Sequence, residues 1–198
     1  MRTITGSPAI IVVIPAYQAA GQIKSVLEGL PSFVEWIIVV DDGSIDGTGS
    51  QVAAVHDSRI KYIRHERNQG VGAAMVTGFR AALELRPDVV VKVDADGQMD
   101  LFYLAALAKP LLEGRADYAK GNRLMHRSDL GQMPPIRLFG NIALSFMTKI
   151  SSGYWKVFDP QNGYLAISGE LLARLNLRRL AKDYFFENSM LIEVGILN

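Results

Sequence analysis

The sequence predicts a single α/β domain with a mostly parallel central sheet flanked by helices. Three features carry that reading: short apolar runs rich in β-branched residues, helix-like segments alternating with them, and acidic clusters where the runs end. The runs are Ile10–Ile14, Trp36–Val40, Ile60–Ile63 and Val89–Val93, almost wholly apolar, as strands covered on both faces should be. Helix-like segments lie between and after them, at Gly21–Leu30, Gly47–Val55, Gly70–Leu85 and Leu101–Glu113. Such alternation marks strand-helix-strand units, whose ligands gather at the carboxyl ends of the strands. Beyond residue 115 the alternation breaks down, so 1–115 and 116–198 are expected to be the regular and the less regular half of one domain. The last residues, from Glu187 to Asn198, read as a helix with no stop signal, as in a chain cut short.

Composition narrows the function. With 198 residues, 49% of them hydrophobic and 21% charged, the chain can bury a core and is not disordered. A net charge of +1 is too balanced for bulk electrostatic binding of nucleic acid. There are no cysteines, so disulfides and thiolate metal sites are excluded, and any cation must be met by oxygen or imidazole. That composition fits a reducing, cytoplasmic compartment. The run Ile10–Ile14 is short and lies between Pro8 and Pro15, which suits a strand rather than a signal peptide. No apolar segment approaches the roughly 18 to 20 residues that cross a bilayer, so the domain is expected to be soluble or peripheral.

The chemistry concentrates in a few motifs. Asp94-Ala95-Asp96-Gly97-Gln98 puts two carboxylates on alternate residues at the end of a strand, where both can reach one point. A hard cation such as Mg²⁺ or Mn²⁺ prefers such oxygens and also binds a diphosphate, although the same residues are equally those of a polar turn. An EF-hand is excluded, because Gln98, Met99 and Ala105 occupy its required positions. Val40-Asp41-Asp42-Gly43-Ser44 leaves a second strand, with Ser44 or Asp46 expected to cap the next helix and the acid pair able to meet a base or ribose. Asn68-Gln69-Gly70-Val71-Gly72-Ala73-Ala74 fits neither phosphate-loop fingerprint, which favours close helix-to-sheet packing. Arg123, Arg127 and Arg137 flank Pro134-Pro135 in a stretch poor in acids, and arginine forks suit phosphate oxygens. The following segment, Ile136 to Ile150, reads as a core-packing helix, and Asp159-Pro160-Gln161-Asn162-Gly163-Tyr164 as a turn before a strand. His56, His65 and His126 lack metal-ligand spacing.

Taken in order with Val13-Ile14-Pro15-Ala16-Tyr17 and Gly121-Asn122-Arg123, these motifs resemble the inverting family-two glycosyltransferases of GT-A fold, a Rossmann-like architecture. Among these, the resemblance is to the dolichyl- and polyprenyl-phosphate sugar synthases, and it covers nearly the whole chain. It implies that Pro15, Tyr17, Val40 and Asp42, with Asp94 and Ala95, surround the donor nucleotide. It further implies that Asp94, Asp96 and Gln98 hold the metal and diphosphate, and that Arg123 and Arg137 contact the donor and acceptor phosphates. Residues 1–115 then form the nucleotide-sugar half and 116–198 the acceptor half, working at the cytoplasmic face of a membrane. The family's Asn and Glu after the tyrosine are replaced by Gln18, Ala19 and Ala20, which leaves the base open between uridine and guanosine.

The expected reaction is metal-dependent transfer of a sugar from a nucleoside-diphosphate donor to a polyprenyl phosphate, with Asp96, Arg123 and Arg137 as the catalytic set. A phosphate monoester, with a second pKa of about 6, is already anionic near neutrality and needs no strong base. A sugar-hydroxyl acceptor does need one, and Asp183 or Glu187 is then the candidate. A nucleotide-sugar-binding domain without catalysis is the alternative from another class. A nucleotidyltransferase is disfavoured by the lack of a Gly- and Lys-rich loop after the first strand.

Overall fold

The computed structural model describes residues 7–121 and 163–197. Within them the chain runs β1 (Ile10–Ala16), α1 (Ile23–Glu28), β2 (Trp36–Asp41), α2 (Thr48–Ala53), β3 (Ile60–Arg64), α3 (Val71–Glu84) and β4 (Val89–Lys92). A 3-10 turn at Leu101–Tyr103 leads into α4 (Leu104–Leu112), followed by β5 (Tyr118–Lys120), β6 (Leu165–Ser168), α5 (Gly169–Arg174) and α6 (Phe186–Leu197). The six strands form one sheet in the order β3-β2-β1-β4-β6-β5. The first four are parallel and β6 is antiparallel to both neighbours, so the alternating part of the sequence builds the parallel part of the sheet.

All seven residues of β1 are buried because the strand lies at the centre with helices on both faces. Its alternate residues divide the core. Ile10, Val12 and Ile14 meet Ile23 and Leu27 of α1 and Leu104 of α4, while Ile11 and Val13 meet Met75 and Phe79 of α3 and Phe186 of α6. Phe79 and Phe186 stack at a tilt with centroids 6.0 Å apart, fastening α3 to α6. Gly78 lets α3 lie directly on the sheet, since a Cβ there would run into Val13 and crowd Val40.

Two local expectations change. β3 is an edge strand whose Lys61, Tyr62 and Arg64 are exposed, so it is covered less fully than the other parallel strands. Neither Ser44 nor Asp46 is the N-cap of α2, which is Gly47 at φ +90°. Their oxygens instead fasten the loop after β1: Ser44 Oγ accepts from the Gln18 N–H at 2.9 Å and Asp46 Oδ2 from the Ala20 N–H at 3.0 Å. Thr48 Oγ1 accepts from the Ala19 N–H between them at 2.9 Å. Gln18, Ala19 and Ala20, the residues that depart from the family pattern, are thus tied through their backbone to the turn after β2.

Candidate active site

A cleft of about 590 Å³ opens at the carboxyl ends of β1 and β4. Pro15 and Tyr17 line one side; Asp94, Ala95, Asp96 and Gln98 line the end of β4; Glu187, Asn188 and Tyr184 close it from α6 and the residues before it. The motif after β1, the paired acids after β4 and one candidate base therefore share a single cavity.

Three expected residues do not line the cleft. Val40 is fully buried in the sheet core against α3, so its side chain cannot meet a nucleotide. Asp42 is buried too, and its carboxylate accepts from the Gln69 N–H at 3.0 and 3.1 Å, the Gly70 N–H at 2.8 Å and His65 Nδ1 at 2.6 Å. The carboxylate makes His65 Nδ1 a donor, and Nε2 lies 2.9 Å from Thr77 Oγ1. Asp42 thus anchors the loop that leads into α3, and its oxygens are already occupied. Asp183 is exposed, with Oδ1 accepting from the Phe185 N–H at 2.9 Å. Arg123 and Arg137 lie outside the described residues.

The neighbouring acid, Asp41, is structural as well. Burial pushes its carboxyl up, but bonds from Ser44 and Tyr62 and the nearby Arg64 outweigh it and hold the group below the usual range. Tyr62 donates to Asp41 Oδ2 at 2.5 Å. Burial and the Asp41 charge push the Tyr62 phenol up to about 12 from 10.0. A phenol that ionises later in the folded chain stabilises it fully below pH 10, and the contribution is lost as pH rises through about 12. Tyr62→Phe is expected to remove one late phase from a spectrophotometric tyrosine titration and to cost about 1 kcal/mol. Tyr118 and Tyr164, pushed higher still by burial, would remain, so an unchanged curve would count against the Tyr62–Asp41 bond.

The Gly-rich loop serves packing rather than anion binding. At the N-terminus of α3, the Gly72 and Ala73 N–H groups donate to the Lys182 carbonyl at 2.9 and 3.2 Å, filling positions a phosphate would need. Gly70, at φ +97°, and Gly72 both lack the Cβ that would run into the backbone of 181–182.

Lys92 is the residue that motif reading missed. Its side chain is 2% exposed on the cleft floor, with Nζ 2.6 Å from Asp94 Oδ1 and 3.2 Å from Glu187 Oε1. Burial pulls its ammonium pKa down, but Asp94 and Glu187 together more than offset this and hold it above the ordinary lysine value. The available signal was the lone charge within Val89–Val93, because a lysine in a strand covered on both faces needs a partner.

At the rim, Asp96 is exposed and accepts the Gln98 N–H at 3.0 Å. Asp94, Asp96 and Gln98 offer hard oxygen donors from one strand end, a set suited to Mg²⁺ or Mn²⁺. Among the described residues no three acids or histidines converge into a complete cage. The donors present could supply part of such a cation's oxygen shell.

The model of the family described as glycosyl transferase family 2 matches residues 11–175. The chain belongs to that family. The UDP-N-acetylglucosamine–dolichyl-phosphate N-acetylglucosaminyltransferase of Methanococcus voltae is 34% identical over 190 residues, covering 88% of this chain and 75% of the relative. The polyprenol monophosphomannose synthase of Mycolicibacterium smegmatis is 31% identical over 155 residues, covering 76% of this chain and 58% of that protein. This family-2 chain also superposes on glucosyl-3-phosphoglycerate synthase from Mycobacterium tuberculosis, crystallised with Mn²⁺, UDP and glucosyl-3-phosphoglycerate. The TM-score is 0.70 at 25% identity, covering 91% of this chain and 63% of that one. The fold is GT-A, and the domain is a glycosyltransferase domain.

Proposed function

We propose that this domain transfers a sugar from a nucleoside-diphosphate sugar to a polyprenyl monophosphate, with inversion at the anomeric carbon and with the help of Mn²⁺ or Mg²⁺. The observation that carries the reading is the shared cleft: donor-side Pro15 and Tyr17, the acids Asp94 and Asp96, and a Glu187 already paired with Lys92. Tyr17, 50% exposed at the rim, and Pro15 flank the base and ribose. Asp94, Asp96 and Gln98 hold the cation beside the diphosphate. A divalent cation there offsets the charge that grows on the leaving diphosphate.

The bond from the anomeric carbon to the diphosphate oxygen breaks as a phosphate oxygen of the acceptor bonds to the opposite face, and the nucleoside diphosphate leaves. An anionic acceptor needs no base. That suits a cleft in which Glu187 is held by an ammonium and Asp183 lies outside. Arg123 and Arg137 orient the phosphates, with residues 1–115 serving the donor and 116–198 the acceptor in one domain. Among the described residues no helix is long and apolar enough to cross a membrane. With a lipid acceptor, the domain works at the cytoplasmic membrane face.

The test is incubation with radiolabelled UDP- and GDP-sugars, Mn²⁺, and either a polyprenyl monophosphate or a panel of sugar acceptors. Label is expected in the lipid extract, with the anomeric configuration opposite to the donor's. Label on a sugar acceptor alone would overturn the lipid-phosphate reading, and no release from any donor would overturn the enzymatic one. Arg137→Ala is expected to raise the KM for polyprenyl phosphate about tenfold, the effect of a lost charge-assisted contact; an unchanged KM would free that residue of the role.

A further inference from the structure

The cleft is lined by three carboxylates, Asp94, Asp96 and Glu187, and by one ammonium, Lys92. Without Lys92, Asp94 and Glu187 would leave two carboxylate charges on the cleft floor with no buried cation to offset them. The ammonium lies between two of the three, 2.6 Å from Asp94 and 3.2 Å from Glu187, and is almost wholly shielded from water. A cation approaching Asp94 meets both an oxygen already engaged and a fixed positive charge behind it. A nucleoside diphosphate changes that balance, because its phosphate charges attract the cation and supply ligands of their own.

We propose that Lys92 is a resident counter-ion of this cleft, a positioning residue that keeps the divalent cation from binding ahead of the nucleotide. The inference rests on the metal-dependent reading above and deepens it. Lys92 lies at the end of β4 and Glu187 on α6, so one buried ammonium ties the acid pair to the helix that closes the cleft. When the cation and diphosphate engage Asp94, Lys92 retains Glu187 and the closing helix stays in place. The bare site is thereby guarded against idle metal occupancy, and donor and cation arrive together.

Binding of Mn²⁺ to the intact protein, followed by the paramagnetic resonance of the free ion, tests this with and without UDP or GDP. Wild type is expected to bind Mn²⁺ weakly alone and about tenfold or more tightly with the matching nucleotide, the scale of one close charge coupling. In Lys92→Met, nucleotide-free affinity is expected to rise about tenfold, shrinking the nucleotide dependence. Glu187→Gln is expected to do the reverse: with one partner neutral, Lys92 concentrates on Asp94 and Mn²⁺ affinity in the presence of nucleotide falls severalfold. A residue that merely braced α6 would shift melting temperature in both variants and metal affinity in neither.

If Lys92→Met does not fold, the Glu187→Gln arm decides alone, and an unchanged metal affinity there overturns the proposal. Wild type that binds no Mn²⁺ with either nucleotide overturns the metal-dependent reading and this inference with it. Wild type that binds Mn²⁺ with nucleotide, alongside a folded Lys92→Met no better at binding the bare ion, overturns this inference alone.

Discussion

Asp96→Ala is expected to lower kcat/KM for sugar transfer about a thousandfold, on the scale of losing a principal electrostatic support for a leaving group. The melting temperature should hardly move, because Asp96 is exposed and surface substitutions usually stay within about 0.5 kcal/mol. Chelation of the cation in the wild-type enzyme is expected to produce a loss of the same depth, restored by added Mn²⁺. The two measurements belong together. A variant that keeps more than about a tenth of the rate, or an enzyme indifferent to chelator, would remove the cation from the reaction.

Gly72→Ala is expected to destabilise the fold by about 3 kcal/mol, or about 6–12 °C in melting temperature for a domain of this size. A methyl group at residue 72 would run into the Ala181 carbonyl oxygen, and the same two turns of chain share the bonds from the Gly72 and Ala73 N–H groups to the Lys182 carbonyl. The clash is backbone against backbone, so no rotamer change relieves it. Because Glu187 follows this segment closely, transfer activity is expected to fall as well, even below the new melting temperature. Calorimetry and an initial-rate assay on one preparation check both, and an Ala variant as stable as wild type would show that α3 and the 181–182 segment are not packed as described.

The parallel half of the fold was legible because buried strands must be apolar and their helices must alternate with them. β1, β2 and β4 fall within two residues of where their runs place them. Edge status was harder to read: Ile60 and Ile63 look like the interior residues around them, and only Lys61 and Arg64 mark the strand as outermost. In the cleft, the shared placement of Asp94, Asp96 and Gln98 was legible because alternate residues at a strand end share a face. The place of Asp42 was not legible, for the opposite reason. A carboxylate leaving a buried strand can serve a ligand or its own fold, and only the positions of Gln69, Gly70 and His65 decide between them. Lys92 escaped because motif reading attends to the acids, whereas its partner Glu187 lies 95 residues further on and meets it through the packing of α6 against the sheet.

β5 and β6 are antiparallel neighbours, with Lys120 opposite Leu165, and the Gly121 N–H donates to the Tyr164 carbonyl at 2.8 Å. The chain thus departs from the sheet and rejoins it at one spot, and a clasp already formed there bears the entropy of closing whatever lies between. A flexible insertion grafted between those two ends is therefore expected to cost only about 0.6 kcal/mol for each doubling of its length, because the pairing of β5 with β6 already holds its ends together.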